Sequence, residues 1–330
     1  MVELPQTPRV PESCAFAEGY SLASQEGQQD TADIWATQLA SPWALAASPA
    51  KSAFRVAAKI NRSSDSPGKL VMQVVRRLMV VFTVIGCHTA ASPVCAADGP
   101  RFFDANGFKI SYSAKGQGEP VVLIHGWLSS GWVNWDLPGT TALLAKSYRV
   151  ITIDMPGHGL SDKPTNEEAY GLELVEDVIR LMDHLKIEKA HLVGYSMGGI
   201  ITAKLLATHP DRVMSATLGG AGWLREGGLE QKFFAAGGKD GKPVGVCFRS
   251  LAKLALTEEE ITSIDVPVTI LIGDRDGLKK LYADPIKTVR PEWPVLEIKD
   301  ADHISCIFKP QFREGIQSWL AKNAKEKGAK

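Results

Sequence analysis

The chain has 330 residues, with 37 lysines and arginines against 37 aspartates and glutamates, so its formal net charge is zero. With no basic stripe along it, that balance argues against a nucleic-acid partner. No internal repeat is visible, which sets aside solenoid and propeller architectures.

Residues 1–71 are rich in Ser, Ala, Pro and Gln and suit a segment without a core. We expect them to be a disordered or mis-started extension, with the functional start near Met72 or Val71. Met72 to Arg77 is a short basic stretch, Leu78 to Ile85 is an apolar run too short to span a bilayer, and Val94-Cys95-Ala96 ends the segment in the manner of a cleavage site. Residues 72–96 therefore read as a secretory signal, and the product is expected to be exported, periplasmic or extracellular. The run Val84-Ile85-Gly86-Cys87 also has the form of a lipobox, so the alternative is a lipid anchor and membrane tether at Cys87. Cleavage after Ala96 leaves Cys247 and Cys306, which could pair in an oxidising compartment. Residues 97–330 suffice for one well-buried core.

Within that region, Arg101 to Ala105 and Phe108 to Tyr112 alternate on either side of Asn106-Gly107, a strong short-range hairpin signal. Val121 to Ile124 is an apolar strand that runs into His125-Gly126-Trp127. Arg149 to Ile153 is another, followed by Asp154 to Ser161. Tyr170 to Leu185 has a helical period through Leu172, Val175, Val178, Ile179, Met182 and Leu185. Ala190 to Val193 is a short buried strand that breaks at Gly194 and passes into a helix over Met197 to Leu206. Strands alternating with helices predict a mostly parallel sheet covered on both faces.

The break at Gly194-Tyr195-Ser196-Met197-Gly198 fits G-x-S-x-G, a turn that lifts a serine hydroxyl out of the backbone path. A serine needs a base, and the base an orienting group. Val266 to Ile272 reads as a buried strand ending in Gly273-Asp274-Arg275-Asp276-Gly277. Pro294 to Ile298 reads as the last strand, with His303 on the loop after it and a helix through Ile307, Phe308, Phe312, Ile316 and Leu320. Acid and histidine thus fall at the same sheet edge as the serine. The residues alone leave both Asp274 and Asp276 open as the acid.

These motifs together resemble the α/β-hydrolase superfamily from about Gly99 to Leu320, and its serine-nucleophile esterase and perhydrolase-like branch. The resemblance implies an α/β fold with an eight-stranded, mostly parallel sheet, helices on both faces, and a short cap inserted at about 219–265. It selects Asp276, three residues beyond Gly273, as the acid. The roles it implies are Ser196 as nucleophile, His303 as base, and the backbone N–H groups of Trp127 and Met197 as the oxyanion hole. A serine at the elbow argues against haloalkane dehalogenase and epoxide hydrolase chemistry. His125 and His158 are expected to bond backbone, and His184, His191 and His209 to lie on helix surfaces or strand ends.

The cap's Trp223, Phe233, Phe234 and Phe248 are candidate pocket residues, and a short cap should leave a comparatively open site with an apolar wall. No phosphate-binding loop, dinucleotide motif, zinc spacing or calcium loop is present in the sequence, so no cofactor and no metal is expected. The expected function is a carboxylic ester hydrolase acting on a small-molecule ester or acyl substrate through an acyl-enzyme. A perhydrolase, a C–C bond hydrolase and a lactonase on the same triad stay open, as does a catalytically silent ligand-binding protein.

Overall fold

The computed structural model describes residues 99–324. The expectations for residues 1–71, for the signal at 72–96 and for Cys87 lie outside the described residues.

Eight strands form one sheet in the order β1-β2-β4-β3-β5-β6-β7-β8. They are β1 (Arg101–Ala105), β2 (Phe108–Lys115), β3 (Pro120–Ile124), β4 (Arg149–Ile153), β5 (Ala190–Tyr195), β6 (Val213–Gly219), β7 (Val268–Gly273) and β8 (Val295–Ile298). The β1–β2 hairpin turns on Asn106 and Gly107, both at positive φ as a tight two-residue turn requires. β2 pairs antiparallel with β4, and every later pairing is parallel. All loops that follow β3 to β8 therefore leave from one edge of the sheet, which gathers the chemistry-bearing motifs at that edge.

Eight α-helices accompany the sheet among the described residues: α1 (Thr140–Leu144), α2 (Glu173–His184), α3 (Met197–Thr208), α4 (Leu229–Ala236), α5 (Pro243–Ser250), α6 (Glu258–Thr262), α7 (Lys279–Val289) and α8 (Pro310–Asn323). α2 is shorter at its start than the apolar period predicts, and buries Leu174, Val175, Val178, Ile179, Leu181 and Met182. On one face of the sheet Val121, Leu123, Val193, Tyr195 and Leu271 pack with Phe312, Ile316 and Leu320 of α8. The intervening residues Val122, Ile124 and Leu192 are also fully buried and, by strand alternation, face the side of α3. Strands buried on both faces are what a parallel sheet between helix layers demands.

His191 stands at the start of β5, the strand end where it is expected, but it is not exposed there. It is fully buried within β5, where Nδ1 shares a 2.8 Å hydrogen bond with Ser215 Oγ of β6. The bond to Ser215 satisfies one side of the ring across neighbouring strands, and on the other side Nε2 faces Glu119 Oε2 at 3.5 Å.

The insertion between β6 and β7 holds α4, α5 and α6. Its base closes where Leu256 N–H donates to Leu224 O at 2.8 Å and Glu226 N–H to Leu256 O at 3.0 Å. α6 starts with a reciprocal cap: Thr257 Oγ1 accepts from Glu260 N–H, and Glu260 Oε2 accepts from Thr257 N–H. Phe248 packs against Phe233 and Phe234, with ring centroids 5.5 and 4.8 Å away. Cys247 and Cys306 are free thiols, both buried. Cys247 lies on Met197, with its Sγ 3.8 Å from the thioether sulfur, and burial pushes its thiol up to about 12.

Candidate active site

Ser196 sits between β5 and α3 with φ +54° and ψ −115°, a backbone conformation L-residues rarely adopt. The turn is held open by close approach rather than by freedom. A Cβ at Gly194 would lie 2.1 Å from Gly198 O, and one at Gly198 would lie 2.1 Å from Ile124 O. The elbow is also tied to the next strand, since Ser196 N–H donates to Gly219 O at 2.7 Å.

His303 stands over this serine from the loop after β8. Its Nε2 is 2.9 Å from Ser196 Oγ, and its Nδ1 is 2.7 Å from Asp276 Oδ2. With Asp276 as a carboxylate, Nδ1–H donates to it and Nε2 is left to accept the serine hydroxyl proton. Asp276 Oδ1 accepts Leu278 N–H at 2.9 Å, which fixes the carboxylate plane. The Asp276 side chain is fully buried and that of His303 is 12% exposed. α5 of the insertion lies beside the site, touching Trp127 through Val244 and Met197 through Cys247.

The other acids near the site have structural partners. Asp274 Oδ1 accepts Ala301 N–H at 3.2 Å, and Asp300 pairs with Arg275. Asp302 Oδ1 accepts from Ile304 N–H at 3.0 Å and Ser305 N–H at 2.7 Å, so it shapes the turn that carries His303.

Met197 is the first residue of α3, so its N–H has no carbonyl within the helix to donate to. Gly126 approaches the nucleophile closely enough that a Cβ there would be 3.2 Å from Ser196 Cβ. The loop carrying Trp127 thus lies directly against the serine. Asn134 Oδ1 accepts Gly126 N–H at 2.8 Å and holds that loop from behind. His125 Nε2 accepts Met155 N–H at 3.0 Å, and its Nδ1–H donates to Gly126 O at 2.7 Å. Complete burial holds His125 down to about 4, consistent with this neutral form. His158 Nδ1 bonds Pro156 O at 3.0 Å, and burial, reinforced by neighbouring His125, holds it down to about 3.

The cap reaches both candidate oxyanion residues. Trp127 Nε1–H donates to Val244 O at 2.8 Å, and the Trp127 and Phe248 rings lie 4.8 Å apart. Met197 meets Cys247 of the same helix, α5. Phe233 and Phe234 join this aromatic cluster through Phe248, and Phe234 is buried. Trp223 does not stand with them: it is buried at the cap base with its indole N–H on Leu256 O at 2.9 Å. A buried indole needs an acceptor, and the main chain that closes the cap base provides one. Asn134 stands in no motif and Tyr195 at a variable position of G-x-S-x-G, so nothing in the sequence marks either one.

Among the described residues, no group of three or more His, Cys, Asp or Glu side chains could hold a metal ion.

A family model described as alpha/beta hydrolase fold matches residues 119–238. The chain is an α/β-hydrolase-fold protein. The sequence of this α/β-hydrolase-fold chain is 38% identical over 123 residues to a 2-hydroxy-6-oxo-6-phenylhexa-2,4-dienoate hydrolase of Comamonas testosteroni, covering 37% of this chain and 43% of that protein. It is also 38% identical over 107 residues to a pimeloyl-(acyl-carrier protein) methyl ester esterase of Aeromonas hydrophila, covering 32% of this chain and 39% of that protein. The solved structure of a meta-cleavage product hydrolase from Pseudomonas fluorescens IP01 aligns with a TM-score of 0.57 at 23% identity, over 67% of this chain and 97% of that one. This chain spans between 32% and 43% of the length of the curated relatives it matches.

Proposed function

We propose that the chain is a serine hydrolase that cleaves carboxylic esters through an acyl-enzyme. The observation that carries this reading is the continuous hydrogen-bond line from Ser196 Oγ through His303 to Asp276, at 2.9 and 2.7 Å. Ser196 Oγ attacks the acyl carbonyl as its proton passes to His303 Nε2. Asp276 keeps Nδ1–H in place and stabilises the imidazolium that forms. The developing oxyanion turns toward the N–H groups of Trp127 and Met197. Collapse expels the alcohol, which takes the proton from Nε2. Water then repeats the sequence on the acyl-enzyme and releases the acid.

The cap favours an uncharged acyl group. Its wall near the site is aromatic, through Trp127 and Phe248. Its two arginines are each held by a glutamate, Arg225 by Glu230 at 2.8 Å and Arg249 by Glu167 at 2.6 Å. A substrate with a free carboxylate would have to compete for them.

C–C bond hydrolysis is the second reading, and the identity to the dienoate hydrolase favours it. Perhydrolysis and lactone hydrolysis would use the same three residues. Turnover of p-nitrophenyl esters across acyl lengths, set beside turnover of the phenylhexadienoate, decides between the first two. The ester reading expects ester turnover that falls by about 10⁴-fold or more in Ser196→Ala. A folded protein that cleaves only the dienoate overturns it. Export is proposed from residues 72–96 alone; N-terminal sequencing of the native protein that begins before residue 72 would refute it, and fatty-acid labelling lost in Cys87→Ser would replace it with a lipid anchor.

A further inference from the structure

We infer that Tyr195 is a positioning residue for His303, a role that rests on the reading of Ser196 and His303 above. Strand alternation in β5 turns Tyr195 away from α3 and toward α8, where its ring meets Phe312 edge-on at 5.5 Å. Its other neighbour is the His303 imidazole, at 5.3 Å between centroids and tilted by only 33°. The phenol hydroxyl donates to the main-chain carbonyl of His303. Ring and hydroxyl thus grip the base in two ways, as a plate against the imidazole and as a tether on the backbone that carries it. Gly220 makes the room, since a Cβ there would lie 3.0 Å from both His303 Cε1 and Tyr195 Cζ. The residue that plates the base immediately precedes the nucleophile, so one strand end sets both.

The plate has an electrostatic consequence. An aromatic face within about 6 Å favours a cation, so Tyr195 supports the positive charge His303 takes on with the serine proton. Titratable groups beside the imidazole and its tether include Asp276, Asp302 and Cys306. Burial pushes Tyr195 well up and Cys306 to about 12, so both stay neutral across a neutral-pH profile. Burial raises Asp302, but hydrogen bonds from Ser305 and Ile304 hold it below the usual carboxylate range, so it stays ionised.

The test compares Tyr195→Phe, which keeps the plate and loses the tether, with Tyr195→Leu, which loses both, each checked for folding by thermal melting. Two readouts are used: ester kinetics against pH, and the rate at which a fluorophosphonate labels Ser196. Tyr195→Phe is expected to lower kcat and labelling about five-fold, with KM within two-fold and the pH profile in place. Tyr195→Leu is expected to lower both about thirty-fold or more and to move the acidic limb of kcat/KM down by about half a pH unit, because the imidazolium loses its support. A folded Leu variant with an unmoved limb, or one that labels at the wild-type rate, overturns the proposal. Where the Leu variant does not fold, a Phe variant equal to wild type in labelling overturns it. A wild-type chain whose Ser196 takes no fluorophosphonate overturns the reading of the site, and this proposal with it.

Discussion

Trp127 and Val244, 117 residues apart, are joined by one hydrogen bond of 2.8 Å from the indole N–H to the main-chain carbonyl. The bond fastens the loop against Ser196 to the cap helix α5. The backbone N–H proposed to meet the oxyanion belongs to the same residue, so the cap reaches the chemistry through a side chain whose own role is mechanical.

Trp127→Phe keeps an aromatic ring against Phe248 and removes the donor. We expect kcat on the preferred ester to fall about ten-fold, with stability lowered by about 1 kcal/mol. Steady-state kinetics and urea melts measure the two. A rise in KM alone would mean that the side chain lines the pocket and does not position the loop.

Asp276→Asn replaces the fully buried carboxylate that faces His303 Nδ1. An amide can turn its NH₂ to the ring and leave the proton on the wrong nitrogen. The expected loss in kcat is about 10⁴-fold with the fold intact, read by ester turnover and circular dichroism. Asp274→Asn should leave kcat within about three-fold, since that carboxylate accepts Ala301 N–H at the loop base.

Two glycines should respond differently to alanine. At Gly198 the new methyl would meet Ile124 O at 2.1 Å and His125 O at 2.9 Å, both main-chain atoms that cannot swing away. We expect a loss of roughly 3 kcal/mol or more at that position. At Gly107 nothing lies within 4 Å, and the cost is the strain of φ +87°, roughly 1–2 kcal/mol. Chemical denaturation of the two variants gives the comparison.

His125 and His158 make stability depend on pH. Burial holds them at about 4 and about 3, against an ordinary value of 6.5. Below pH 6.5 the unfolded chain takes up protons at these positions that the folded chain refuses. Their contribution is therefore complete above pH 6.5 and is lost as the pH falls toward 4, by on the order of 2–3 kcal/mol each. Urea midpoints at pH 7 and pH 4.5 should show the drop, and His158→Asn should flatten it. An unchanged slope in that variant would remove His158 from the account.

Much of the fold is written locally. Asn106-Gly107 announces the hairpin because few other pairs tolerate two positive φ angles. The glycines around Ser196 are legible because backbone atoms approach within about 2 Å of where side chains would stand, and a sequence can satisfy that in few ways. Long-range partners leave no such trace. Tyr195 meets the His303 carbonyl across 108 residues, and nothing near either one forecasts it. Trp223 reads as a pocket aromatic by composition, yet its N–H is committed to Leu256. His191 does lie at a strand end, and what its own segment does not reveal is the burial that Ser215 on the neighbouring strand accommodates. In each case the deciding group lies on another element, and periodicity along one segment carries no information about it.

The cap leaves and rejoins the sheet through a narrow neck, where Leu224, Glu226 and Leu256 exchange main-chain hydrogen bonds. Its ends already meet, so the segment can be exchanged as a cassette without stretching β6 or β7. A replacement cassette has one obligation beyond fitting its own substrate, which is to offer Trp127 a carbonyl where Val244 stands. Selection for a new substrate and retention of rate are thus geared together at this helix, and a graft chosen for pocket shape alone would arrive slow.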